Sequence, residues 1–416
     1  MLTAKLKDGS LFSMAGDWTY DQLKQMRQDV PFYCPCCQAE LQLKLGMKKQ
    51  WHFAHKKDHT CTVQSEHESL YHLQGKRQLY EWLKNQGLKV ALEVYLPLIR
   101  QRPDLLFKDQ DQLYALEYQC SPIDLPQLEK RTRGYKQLGM IPIWILGGNR
   151  LTRLGSNTYT IKAFEWYMNT LNRERFPQIN YYCSEQKKWM SLLHTTPYSS
   201  NKVLASLHQS LPDQLTYSDL LDNFTDHSPL KDQWLYVKKN WRYFRPKPYP
   251  SPTERYFQQL LYHHRVPPSH FPIEAGWPTK SYEIIETAPH IWQSYFLFAC
   301  LLSKPLHQPI TISSILSCFT NNQLYRWLKL RPMYESPSIH EAVLGYLDFL
   351  VRIGFLTKVP GSSDMYYRLR EPLIPTSTEE AIKRDAQLTN KYGAPLFGTE
   401  SLTGNKGKSP NMSNTI

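Results

Sequence analysis

Two groups of residues could do chemistry. The first is a Cys/His cluster: Cys34-Pro35-Cys36-Cys37, followed fifteen positions later by His52-Phe53-Ala54-His55, then His59 and Cys61. Two thiolates at C-x2-C spacing chelate one tetrahedral Zn2+ through a tight turn, and imidazoles or a thiolate from a second segment close the site. Cys34 and Cys37 are the first pair expected, completed by two of His52, His55 and Cys61, with Cys36 the alternative to one of the first pair. Such a zinc would be structural, because two complete ligand pairs leave no open coordination position. The plainer alternative is buried cysteines beside solvated histidines, and the density of ligands in one short span weighs against it. Lys44, Lys48, Lys49, Lys56 and Lys57 surround the cluster, either touching phosphates or forming its solvated face.

The second group is acidic: Arg102-Pro103-Asp104 at the start of one expected strand and Glu117-Tyr118-Gln119 within the next. Side chains alternate along a strand, so Glu117 and Gln119 share a face. The polar turn Lys108–Gln112 implies antiparallel pairing, which sets Asp104 nearly opposite Leu116 and Glu117. Two carboxylates at that distance make a hard-oxygen site for Mg2+ or Mn2+, able to polarise a phosphate and lower the pKa of an attacking water. From spacing alone, acids at a sheet edge meeting solvent is an equal reading. A burial cost that only a partner removes tips the balance toward a site.

The helix before these strands carries Glu68, His72 and Lys76 at successive i, i+4 positions, one polar stripe in which Glu68 either caps the helix or joins the site and Lys76 is either solvated or catalytic. From the helix after them, Lys130, Arg131, Arg133 and Tyr135 could approach the same site or a DNA backbone, as could Arg102; Glu93 is a further acid.

The elements that must position these residues are legible in outline. A hairpin (Leu2–Lys5, Leu11–Met14) and a short helix (Tyr20–Arg27) precede the Cys/His segment. Ser65–Asn85 reads as a helix opened by the capping box Ser65-x-x-Glu68 and closed by Gln86-Gly87. Strands at Val90–Tyr95, Asp104–Phe107 and Leu113–Cys120, a helix at Leu125–Leu138 and a strand at Ile141–Leu146 complete the order αβββαβ. Beyond it stand a helix (Ala163–Leu171), a hairpin (Ile179–Cys183, Trp189–Leu193), a proline-rich stretch (Arg245–Pro252) and a mostly helical region. That region closes with Ile339–Ile353 and a hairpin (Phe355–Val359, Met365–Leu369), the closing pattern of a winged helix.

The expected organisation is a multidomain α+β or α/β chain. Residues 1–64 form the hairpin and zinc knuckle, 65–150 the αβββαβ core and 151–244 an extension of it; 245–252 form a linker, 253–374 a helical C-terminal domain and 375–416 a largely disordered tail. Lys plus Arg exceed Asp plus Glu by 50 to 37, so a polyanion, DNA above all, is the expected partner. No run is apolar enough for a signal peptide or membrane span, which makes a cytoplasmic location the expectation, and clustered cysteines there suggest metal in place of disulfides.

Asp104, Glu117 and the element order resemble the PD-(D/E)xK, or restriction-endonuclease-like, superfamily. More narrowly, Cys34-x2-Cys37, His52-Phe53-Ala54-His55, Glu117-x-Gln119-Cys120-Ser121 and Ile143-Trp144-Ile145-Leu146 look like the competence protein CoiA family. The resemblance implies a role after DNA uptake in naturally transformable bacteria, when incoming DNA, single-stranded or branched, is processed or recombined, with recombination machinery as further partners. It makes Asp104 and Glu117 the metal-binding acids of a Mg-dependent nuclease. Gln119 then takes the place of the usual lysine, whose charge it cannot supply. A non-catalytic DNA-binding accessory protein on the same fold is the alternative, and a DNA binder using the winged helix a third.

Overall fold

The computed structural model describes residues 1–46, 50–56, 59, 61, 68–171, 177–221, 228–245, 247–321, 326, 328–333 and 338–396. Lys48, Lys49, Lys57, Ser65 and the expected tail Ser401–Ile416 lie outside the described residues.

The N-terminal unit is a five-stranded sheet in the order β2-β1-β3-β4-β5, from β1 (Thr3–Lys5), β2 (Leu11–Ser13), β3 (Phe32–Tyr33), β4 (Glu40–Lys44) and β5 (His52–His55), with helix α1 (Tyr20–Asp29) between β2 and β3. Strand β4 alternates buried Leu41 and Leu43 with exposed Glu40, Gln42 and Lys44, so one face of the sheet is packed and the other wet.

The αβββαβ order is present: α2 (Leu70–Lys84), β6 (Lys89–Leu92), β7 (Leu105–Asp109), β8 (Gln112–Gln119), α3 (Leu125–Gln137) and β9 (Ile141–Gly147). Strands β7 and β8 pair antiparallel with Leu105 opposite Leu116, and β9 lies parallel to β8. Helix α2 starts at Leu70 with Ser69 as its N-cap, so Glu68 precedes the helix and does not cap it.

The sheet does not stop at residue 150. Leu146 and Gly147 of β9 pair in parallel with Tyr181 and Tyr182, and the sheet runs on through a second half. This half holds β10 (Thr152–Arg153), β11 (Thr158–Thr160), β12 (Thr170–Leu171), β13 (Pro177–Cys183), β14 (Lys188–Pro197) and β15 (Lys202–Ser210). Ten strands follow the order β10-β11-β15-β14-β13-β9-β8-β7-β6, with β12 beside β13. The boundary expected at 150 therefore falls inside one sheet. Helix α4 covers only Ala163–Tyr167 because Thr170 and Leu171 leave the expected helix to pair with β13.

At Gly75 the absence of a side chain lets α2 lie directly against Tyr118 of the sheet. A Cβ there would lie 2.2 Å from the Tyr118 ring, and Tyr118 is buried with its hydroxyl donating to the Tyr182 carbonyl. Gly75→Ala is expected to lower stability by about 1–3 kcal/mol through overpacking, read as a shifted urea midpoint at unchanged slope.

The remaining helices are α5 (Tyr217–Leu221), α6 (Ser228–Arg242), α7 (Pro252–His263), α8 (Pro289–Tyr295), α9 (Ile312–Asn321), α10 (Ile339–Arg352) and α11 (Thr378–Leu396). The proline-rich stretch was expected to separate two domains, yet it joins two helices of one core. Leu230, Trp234 and Val237 of α6 pack in the same cluster as Phe257, Trp277, Tyr282 and Tyr346, because their i, i+4, i+7 spacing makes one apolar face. A second correction concerns residues 378–396, which form a helix where a disordered tail was expected. Ala381, Asp385 and Thr389 are buried on one face, and Asp385 pairs with Lys238 at 2.9 Å and Arg242 at 3.0 Å on α6. The paired charges carry this docking where apolar residues are few.

Strands β16 (Pro309–Thr311), β17 (Leu356–Lys358) and β18 (Met365–Arg368) form a sheet in the order β16-β18-β17, so the expected helix-and-hairpin pattern is present. The helix such a module would lay into a DNA groove, α10, buries one face and exposes His340, Glu341, Asp348 and Arg352 on the other. The Tyr346 hydroxyl donates to the Glu274 carbonyl, Phe349 packs on Trp277, and the Lys280 carbonyl sits over Gly345. The two acids on the exposed face, Glu341 and Asp348, argue against DNA reading by α10.

Candidate metal centres and an acidic cleft

Sulfur and nitrogen atoms of Cys34, Cys37, His55 and Cys61 lie within 4.8 Å of one another, a Cys3His set that could hold a metal such as zinc. Cys34 and Cys37 come from the turn after β3, and His55 ends β5. The Cys37 thiol lies 3.3 Å from His55 Nε2 and 3.3 Å from His59 Nε2. Hydrogen bonding from Cys36 and the Cys37 backbone holds the Cys34 thiol well below the usual thiol range, which favours the thiolate that a metal needs. His52, expected as an equal candidate, does not join the group. Three residues apart on a strand, His52 and His55 point to opposite faces, and His52 Nδ1 sits 2.9 Å from the Gln50 carbonyl.

The acidic residues Glu68 and Asp104 gather around a cleft of about 240 Å³ lined also by His72, Gln119 and Arg131, with Ser69, Tyr118, Cys120, Ser121 and Asn149 completing the wall. One ligand atom each from Glu68, His72 and Asp104 falls within 4.8 Å of the others, a cluster that could hold a catalytic metal. His72 Nε2 is 3.1 Å from Asp104 Oδ2, which also accepts from the Tyr118 backbone N–H at 3.0 Å. His72 is the site residue that the sequence reading placed on the polar stripe without making it a ligand. Its i, i+4 spacing from Glu68 was the available signal.

Beneath the cleft is a buried ionic cluster. Lys76 Nζ contacts Glu93 at 2.6 Å, Glu68 at 3.1 Å and Asp104 at 3.2 Å, and the side chain is fully buried. Burial alone would raise the pKa values of these acids, but the neighbouring cations override it. Lys76 and the Met1 ammonium, 3.0 Å from Glu68, hold Glu68 well below the carboxylate range; His72 and Lys76 do the same for Asp104. Lys76 with Arg102 holds Glu93 at about 2. The Glu93 carboxylate also accepts from the backbone N–H groups of Leu2 and Thr3 and from the Thr3 hydroxyl, tying β1 to the cluster.

Three expected site residues are placed differently. Arg102, a DNA-contact candidate, is buried against Glu68 at 3.5 Å, Glu93 at 3.8 Å and the Met1 sulfur at 2.9 Å. Tyr135, another DNA-contact candidate, is buried too, and its hydroxyl donates to Glu117. Glu117 itself does not join the Glu68–His72–Asp104 group; it is 1 % exposed and held by Tyr135 and by Arg131, whose guanidinium also lies over Trp144. Burial pushes Glu117 up to about 7, with Arg131 opposing. Lys130 and Arg133 are exposed on α3, and the Gln119 amide donates to the Ser121 carbonyl at 2.9 Å.

Residues 68–225, which hold this cleft, match the family described as competence protein CoiA, nuclease-like domain; residues 15–64 match its N-terminal domain and 230–382 its C-terminal domain. The competence protein CoiA of Bacillus subtilis (strain 168) is 34% identical over 381 residues, covering 90% of this chain and 98% of that protein. The chain belongs to the competence protein CoiA family. No solved structure matches it. Membership assigns a competence-related role and a nuclease-like domain, and the three family segments agree with the packing: α6, at the start of the C-terminal match, belongs to the core that follows it. Among the described residues no helix is long and apolar enough to cross a membrane.

Proposed function

We propose that the protein is a metal-dependent deoxyribonuclease that processes incoming DNA, single-stranded or branched, during transformation and recombination. The observation that carries this reading is the convergence of Glu68, His72 and Asp104 on a cleft that also displays Arg131 and Gln119. Two carboxylates and an imidazole suit Mn2+ or Mg2+. Bound there, such an ion would polarise a phosphate oxygen and lower the pKa of an attacking water.

The chain's own groups have separable tasks. The Tyr118 N–H fixes Asp104, and His72 offers Nε2 as a ligand atom. Lys76 cannot reach a phosphate, since it is fully buried among three carboxylates. Arg131 can: its side chain is 25 % exposed and lines the cleft, and Glu117 anchors the guanidinium while further N–H groups stay available. On this reading Arg131 supplies the positive charge that Gln119 lacks, and Gln119 orients a water or a phosphate oxygen by hydrogen bonds.

Purified protein assayed on single-stranded, duplex and branched DNA with Mn2+ or Mg2+ should cleave, and Asp104→Ala, His72→Ala and Arg131→Ala should each slow cleavage by about 10²–10³-fold. Equal cleavage by wild type and Asp104→Ala would mean a contaminating nuclease and end the proposal. One observation favours a second reading, a non-catalytic DNA platform: Lys76 already neutralises Glu68 and Asp104 without a metal. That reading expects DNA binding with no cleavage under any metal.

A further inference from the structure

Helix α6 presents an unusual outer face. Its inner face, Leu230, Trp234, Val237 and the buried Lys238 and Arg242, belongs to the C-terminal core. Its outer face carries Tyr236, 66% exposed, and Tyr243, 50% exposed, seven residues and so two turns apart on one side, with Lys239 between them and its ammonium 6.0 Å from the Tyr243 ring. The chain then runs through exposed Arg245 to Tyr249, 94% exposed, and along α7 to Tyr262, 82% exposed. Four of the five exposed tyrosines among the described residues thus fall within 27 positions of one another, the fifth being Tyr20.

The charge around them is one-sided. Lys239, Arg245, Arg255 and Arg265 are exposed between residues 232 and 265, where the acids are Asp232 and Glu254, and Glu254 is tied to Lys247 at 2.6 Å. Aromatic rings left in water beside cations with no ion pair among the described residues match two features of a single strand of nucleic acid. Its bases have open π faces, and its phosphates repeat at each nucleotide. A duplex offers the phosphates but keeps its bases stacked on each other. An acidic protein surface would pair with the cations and leave the rings without a reason to stand exposed.

We infer that the outer face of α6, continued through Tyr249 to α7, is a binding surface for single-stranded DNA, separate from the acidic cleft. The tyrosines stack on bases, and Lys239 and Arg245 hold phosphates. The choice of DNA over RNA rests on the proposed function, whose substrate is incoming DNA. This inference stands whether or not the cleft cleaves.

The test is fluorescence anisotropy of a labelled twenty-nucleotide oligo(dT) with the full-length, zinc-loaded protein in buffer without Mg2+ or Mn2+, where cleavage is suppressed. Wild type should bind the oligonucleotide at least about tenfold more tightly than a duplex of equal length. The Tyr236→Ala/Tyr243→Ala double variant should bind it about ten- to a hundredfold more weakly, and Tyr236→Phe/Tyr243→Phe, which keeps the rings, should stay within about twofold of wild type. Lys239→Ala/Arg245→Ala should flatten the dependence of affinity on salt. Because these side chains are exposed, all variants should melt with wild-type protein. Unchanged affinity in the alanine double variant, or equal affinity for duplex and single strand, overturns the inference and leaves the face to a protein partner. No binding by wild type overturns it outright.

Discussion

Lys76→Met is expected to destabilise the protein by about 3–5 kcal/mol at neutral pH, measured as a loss in the free energy of urea unfolding. The size follows from what is left behind. Three carboxylates, Glu68, Glu93 and Asp104, surround an ammonium with no exposure to solvent, and removing it strands negative charge in a buried place. The pH dependence has a definite sign. Glu93 titrates at about 2 when folded against an ordinary 4.5, so its pairing adds stability above about 4.5 that is lost as the pH falls through about 2. In Lys76→Met the largest influence opposing burial is gone, leaving Arg102, the Met1 ammonium and the hydrogen bonds from Leu2 and Thr3, so the folded-state pKa of Glu93 rises and protonation relieves the stranded charge. The gap between wild type and variant should therefore narrow between pH 7 and pH 4.5. A gap independent of pH would mean that the loss is one of packing.

Cys37→Ser is expected to remove about one bound zinc per chain, measured by metal analysis of the purified protein, and to loosen residues 1–61. The effect should extend beyond that unit. Leu2 and Thr3 of β1 donate to Glu93, and the Met1 amine donates to the Phe53 carbonyl and contacts Glu68, so the sheet that carries the Cys/His set also braces the acids beneath the cleft. Weakening that brace should reduce affinity for Mn2+ at Glu68, His72 and Asp104 by about 10- to 100-fold, the usual cost of losing outer support for metal ligands. Mn2+ titration by calorimetry separates the outcomes. Zinc content unchanged in Cys37→Ser would dismiss the Cys/His site, whereas lost zinc with unchanged Mn2+ affinity would sever it from the cleft.

Both expectations treat the N-terminal unit and the nuclease-like domain as one electrostatic object. Arg102 shows why. It stands two positions before Asp104, where a basic residue near a candidate metal-binding acid reads as a DNA contact, but it reaches back to Glu68, Glu93 and the Met1 side chain. At the cleft itself the basic candidate for DNA is Arg131, which lines it, with Lys130 and Arg133 exposed on the same helix.

The sequence by itself determined the order αβββαβ, the placement of Asp104 across from Glu117 and the Cys/His cluster as a metal candidate. Each of these rests on something local: apolar periodicity, a polar turn that forces antiparallel pairing, or ligands closely spaced along the chain. Tertiary structure alone decided the rest. The face of β5 that meets the turn after β3 chose His55 over His52. The approach of α2 to β7 brought His72 to Asp104 and buried Lys76, while α3 turned Arg131 and Tyr135 onto Glu117. Pairing between β9 and β13, residues more than thirty positions apart, carried the sheet past its expected edge, and Asp385 found Arg242 across 143 positions to fold an apparent tail. Such contacts depend on which surfaces meet in space, and a charged residue reads the same along the chain whether it ends in solvent or in a buried pair.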